Sequence, residues 1–169
     1  MTGQGESSVQ NVITQTNPAQ IEDPALAFVR DYWNARRGGR AMPSRADIRP
    51  ADMKKHLGWI VMLDVLNGGD DFRYRTLGTR ITEHFGSDPT GRTIKDFYSG
   101  FGAGVRDVAL EVMRQAVEER SPVLTTGVGG TVGYPFIKFG TIYAPLSDDG
   151  AHVNILMGAM RFEYLQGRV

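Results

Sequence analysis

The spacing of apolar positions changes several times along the chain, and each change marks an element. Leu26, Val29 and Trp33, flanked by Ala25, Phe28 and Tyr32, form the stripe of a helix running to about residue 35. Asp23 stands at its N-cap, Pro24 suits the first helical position, and Gly38-Gly39 ends it. Residues 50–57 fit a two-turn helix. Residues 59–66 are almost continuously apolar, as in a strand covered on both faces. Residues 72–77 alternate bulky and basic side chains, and Asn67-Gly68-Gly69-Asp70 supplies the tight turn between these two strands. The helical period returns over 101–119, with Phe101, Val105, Val108, Val112 and Ala116 on one face, until Pro122 stops it. Strands begin at residue 123 and cover 136–146 and 152–164. Ser147-Asp148-Asp149-Gly150 joins the last two as a hairpin.

Shorter signals fill the middle. Thr79 is placed to cap a helical turn over 80–85, Gly86 suits a left-handed C-terminal cap, and Asp88-Pro89-Thr90-Gly91 is a second turn. Chain reversals at Gly78 and Gly91 call for positive φ or close backbone approach. Ile94 and Phe97 pin the following loop to the core. Residues 1–22, rich in Gly, Ser, Gln, Asn and Thr, read as a flexible tail, residues 23–164 as one domain, and residues 165–169 as a short C-terminal tail. The class is α+β, with five antiparallel strands.

The order strand, turn, strand, Gly78-Thr79, helical turn, Phe85-Gly86-x-Asp88-x-x-Gly91-Arg92 resembles the start of a PAS domain. More narrowly, Trp33 with Arg37-Gly38-Gly39-Arg40, the segment MPSRADI at 42–48, and Phe72-Arg73-Tyr74-Arg75 resemble the stand-alone bacterial PAS proteins. The resemblance spans residues 23–164. It implies a five-stranded sheet in the order 2-1-5-4-3, helices on one face and an extra N-terminal helix outside that core. It also implies a cytoplasmic sensory or regulatory module that binds a small molecule, a protein partner or both. With no output domain attached, such a module signals through association with other chains and is not an enzyme. By position in that fold, Tyr74, Arg75, Phe97, Tyr98, Met113, Tyr143 and Met157 are the candidates to line a ligand pocket, the alternative being that such side chains fill the core completely.

Charge and composition narrow the picture. Nineteen basic and nineteen acidic residues cancel, so no nucleic-acid partner is expected. The short basic runs Arg36-Arg37 with Arg40 and Lys54-Lys55-His56 read as solvated surface. The absence of cysteine excludes disulfides, thiolate catalysis, cysteine metal sites and a cysteinyl–flavin bond. No apolar run is long enough to span a membrane and no signal peptide is visible, which gives a cytoplasmic expectation.

Candidate chemistry is sparse. His84 is the only histidine in the helix-bearing middle; it is a haem ligand on one reading and a helix-end residue on the other, and no metal, haem or flavin is expected. Asp64, in an apolar strand, is either a buried carboxylate or the partner of Arg73 or Arg75 across the hairpin. Both arginines are expected to point outward. A rival reading, a small α+β enzyme with a cavity site, requires Asp64, His84 and Tyr143 to converge. The first helix carries an apolar face too broad for its length. That predicts a homodimer through Leu26, Phe28, Val29, Tyr32 and Trp33, the alternative being a helix folded onto its own sheet.

Overall fold

The structure is a computed structural model that describes residues 12–101, 103–131 and 134–164. Its centre is one antiparallel sheet. The elements are β1 (Val12–Thr16), α1 (Pro24–Arg37), β2 (Ile60–Leu66), β3 (Asp71–Leu77), α2 (Thr79–Phe85), α3 (Ile94–Phe97), α4 (Ala103–Glu119), β4 (Val123–Thr131), β5 (Tyr134–Leu146) and β6 (Ile155–Tyr164). The strand order is β1-β4-β5-β6-β2-β3. Without β1, this is the five-stranded order 2-1-5-4-3.

The β2–β3 hairpin forms as its sequence requires. Asn67, Gly68 and Gly69 all take positive φ in the connecting turn. The register slips between Met62 and Leu63, so Arg75 falls in a bulge and Leu63 faces Tyr74. The two glycines at chain reversals act differently. Gly91 has φ +87°, in the left-handed region. Gly78 has an ordinary φ but sits where a Cβ would run into the backbone of Leu57 and Gly58.

Alternation along the strands divides the core in two. Val61, Leu63, Phe72, Tyr74, Tyr143, Leu156 and Met160 face α2, α3 and α4. Ile60, Met62, Leu124, Ile142, Ala144 and Met157 face the other way, toward α1 and the segment 42–53. We refer to these as the inner and outer faces.

α1 lies across β5 and β6 of its own chain. The Asp23 carboxylate caps the helix, accepting from the N–H groups of Ala25 (2.9 Å) and Leu26 (3.1 Å). Its second oxygen meets Arg161 of β6 at 2.8 Å, which fixes the helix start on the sheet. Near the other end, the Trp33 indole N–H donates to the Pro145 carbonyl at 2.7 Å. Leu26, Val29, Tyr32 and Trp33 are thereby buried within one chain, and Phe28 is half-buried, stacked on Tyr32.

Three local readings change. Residues 12–16, expected in a tail, form an edge strand antiparallel to β4, with Thr16 and Thr126 hydroxyls 3.0 Å apart; residues 1–11 lie outside the described residues. With Val12 and Ile13 side by side before Thr14-Gln15-Thr16, the segment has no alternation to announce a strand, and its pairing is set by the open edge of β4. Residues 50–57 form two separate 3-10 turns, Pro50–Met53 and Leu57–Trp59, rather than one helix. Thr79 is the first residue of α2 instead of its cap, which is Gly78. Among the described residues, no helix is long and apolar enough to cross a membrane.

Candidate functional site: an aromatic interior with buried hydroxyls

The inner face and its covering helices enclose an unusually aromatic interior. Phe97, at the end of α3, is its hub: ring centroids lie 5.6 Å from Tyr74, 4.9 Å from Phe85, 4.8 Å from Tyr98 and 5.4 Å from Phe101. Most of these pairs are tilted or edge-on, the arrangement that ring quadrupoles favour. α3 is short and is capped by Thr93, whose hydroxyl accepts from the Asp96 N–H at 3.2 Å. That cap, with Ile94 buried, sets Phe97 pointing inward.

Three tyrosines bring hydroxyls into this apolar layer. Tyr74, Tyr98 and Tyr143 are 1%, 5% and 4% exposed. The Tyr74 hydroxyl donates to that of Tyr98 at 3.4 Å, a long bond. Burial pushes all three phenols above their ordinary value, and their mutual proximity adds to the effect at Tyr74 and Tyr143. All three are therefore neutral O–H groups. Behind them on the same face, the Thr125 and Thr141 hydroxyls pair at 2.7 Å.

His84 borders the same layer. It is 3% exposed, its ring stacks on Phe162 at 3.6 Å, and its Nδ1 lies 2.8 Å from the Tyr164 hydroxyl. Burial holds its pKa down at about 4, so it too is neutral. The helix-end reading of an exposed histidine is thus replaced by a packed, hydrogen-bonded ring. Its position on the last turn of α2 faces β6, which the local sequence does not reveal.

Of the seven pocket candidates, Tyr74, Phe97, Tyr98, Met113 and Tyr143 converge on this interior. Two do not. Met157 is fully buried but on the outer face, because it lies one residue from Leu156 and side chains alternate. Arg75 projects from the sheet, 48% exposed, and pairs with Asp64 at 2.9 Å. The arginines of β3 thus point outward, and Asp64 is a structural partner across the hairpin. Asp64 is therefore held away from the interior where His84 and Tyr143 lie, and the three residues that the enzyme reading requires do not converge. Sequence reasoning missed Phe85, Phe162 and the Thr125–Thr141 pair; strand parity from Tyr143 gives Thr141, but nothing local marks the others. Among the described residues, no group of three or more His, Cys, Asp or Glu side chains is placed to hold a metal ion.

Two solved structures show a likeness to the chain. A domain of an HTR-like protein from Haloarcula marismortui is 14% identical, with a TM-score of 0.42, covering 61% of this chain and 96% of that one. An RNA-binding light-oxygen-voltage receptor is 10% identical, with a TM-score of 0.49, covering 91% of this chain and 38% of that one. No curated protein matches the sequence. The model of the PAS domain family matches residues 21–161, and with the five-stranded sheet and its helices this places the chain in the PAS domain family of sensory modules.

Proposed function

We propose that this PAS domain is a cytoplasmic, non-catalytic sensor that takes a small neutral molecule into its aromatic interior and signals by association with another chain. One observation carries the reading: Tyr74, Tyr98 and Tyr143 hold neutral hydroxyls in a layer otherwise built of aromatic and aliphatic side chains. Buried hydroxyls are costly when poorly paired, and a ligand offering an acceptor relieves that cost. The chemistry selects against anions, since Arg75 is turned outward and His84 is uncharged.

The association step would be with a second copy. Leu26, Val29, Tyr32 and Trp33 are covered by their own sheet, so a homodimer would be built on the exposed side of α1 and on the sheet edges. The experiment is a thermal-shift screen of neutral aromatic compounds against the full chain and against Tyr143→Phe. A ligand at a hundredfold excess over Kd should stabilise the wild type by about 2.7 kcal/mol. The variant should show a smaller shift. If no neutral compound stabilises the protein, or if Tyr143→Phe responds identically, the reading is wrong.

A further inference from the structure

A second site lies on the opposite face of the sheet. At the β2–β3 end an open cleft of about 340 Å3 lies between the 45–58 segment and the hairpin. Its volume falls within the range of roughly 300–1,000 Å3 found for small-molecule sites. Its walls are mainly apolar, from Met53, Leu57, Ile60 and Met62, with Thr76 and Thr79 on the hairpin side. Leu57 stands at the rim, 41% exposed, among the few large apolar side chains left so open in the described residues.

Arg45 is the charged group lining this cleft. One guanidinium N–H donates to the Ile48 carbonyl at 3.0 Å, which holds the side chain in place. Its Nε is shielded from solvent and has no hydrogen-bond partner among the described residues. The nearby Asp148 carboxylate accepts from the Arg45 backbone N–H at 3.2 Å rather than from the guanidinium. That shielding leaves the Nε to the interior, and what the guanidinium can offer the cleft is Nη2, which has no hydrogen-bond partner among the described residues.

The surroundings match. Residues 36–55 carry seven cations against two carboxylates, Asp47 and Asp52. Both carboxylates are already engaged, Asp47 with Arg40 at 2.7 Å and Asp52 with Arg36 at 2.6 Å. Arg49 and Lys54, next in sequence to the cleft residues Pro50 and Met53, are exposed.

We propose that this cleft binds a medium-chain carboxylate, with the alkyl chain on the Met53–Leu57–Ile60–Met62 surface and the carboxylate on the Arg45 guanidinium. An apolar trough ending at an under-partnered guanidinium complements an amphipathic anion, and a guanidinium accepts a carboxylate in bidentate fashion. The site is distinct from the aromatic interior, whose hydroxyls select a neutral ligand, and its success or failure is independent of that reading.

The test uses the full isotope-labelled chain titrated with decanoate and, separately, with decan-1-ol, both below their aggregation limits. The expected result is saturable decanoate binding with amide shifts at Gly58, Leu77, Gly78 and Thr79. The alcohol should bind at least tenfold more weakly. Arg45→Met should lose at least tenfold in decanoate affinity, Arg45→Lys should fall between, and Tyr143→Phe should bind like the wild type. Equal affinity for acid and alcohol, absence of saturation, or shifts centred on Phe97 and Tyr143 would each overturn the proposal. Should Arg45→Met fail to fold, the acid-to-alcohol ratio and the shift map on the wild type decide it alone.

Discussion

Replacing Trp33 with Phe tests whether α1 is a cover for its own sheet. The indole N–H donates to the Pro145 carbonyl at 2.7 Å in a buried setting, and the ring is only 4% exposed. Phenylalanine removes the donor and leaves that carbonyl without it, which costs about 1–3 kcal/mol. The smaller ring also leaves a void the size of a few heavy atoms, and a loss at about 0.8 kcal/mol per buried methylene equivalent adds roughly 1–2 kcal/mol. The sum is about 2–5 kcal/mol. For a chain of this size, each kcal/mol lowers Tm by roughly 2–4 °C, so the expected drop is on the order of 4–20 °C.

The assay is urea unfolding followed by circular dichroism at several protein concentrations. Because Trp33 is covered within one chain, the loss should be the same at every concentration. An isologous helix pair would behave otherwise, with a midpoint that rises with concentration in the wild type and less so in the variant. A loss below about 0.5 kcal/mol, or one that shrinks on dilution, refutes the packing argument.

The two reversal glycines should separate by mechanism. Gly91→Val forces a β-branched residue to φ +87° and should cost about 1–3 kcal/mol in thermal unfolding. Gly78→Ala should cost at least as much despite its modest change, since the new methyl meets backbone that cannot turn aside; a neutral Gly78→Ala would contradict the close approach. His84 has a folded pKa of about 4, below its ordinary 6.5, so the unfolded chain binds the proton more readily. Stability should therefore be intact above about pH 6.5 and fall by about 1–3 kcal/mol as pH drops toward 4, a slope that His84→Gln should flatten. If urea midpoints of both proteins track pH identically, His84 is not the group responsible. Arg75→Ala breaks an exposed pair with Asp64 and should shift stability by less than about 1 kcal/mol. It should also leave interior ligand binding unchanged, and lost binding would return Arg75 to the pocket.

The sequence alone determined most of the elements and which residues of each strand share a face. Periodicity placed α1 and α4, the Asn67–Gly69 turn located the β2–β3 hairpin, and the Phe72-Arg73-Tyr74-Arg75 alternation separated the arginines from the rings without deciding which face turns outward. Those features depend on neighbours a few residues apart, which is the range over which backbone propensity and side-chain parity act. Parity, however, says only that Leu156 and Met157 face opposite ways; which one meets α4 is settled by strand order, and so Met157 was placed on the wrong side. β1 forms because β4 presents an open edge more than a hundred residues away, and no pattern within residues 12–16 encodes that partner. The breadth of the α1 stripe was legible, but its occupant was not. An apolar face specifies that it will be covered, because burial is non-directional, and only the Asp23–Arg161 and Trp33–Pro145 contacts choose the chain's own sheet. The tyrosine layer and the Arg45 cleft are likewise products of assembly, each joining residues from distant segments whose chemistry becomes visible only when solvent is excluded around them.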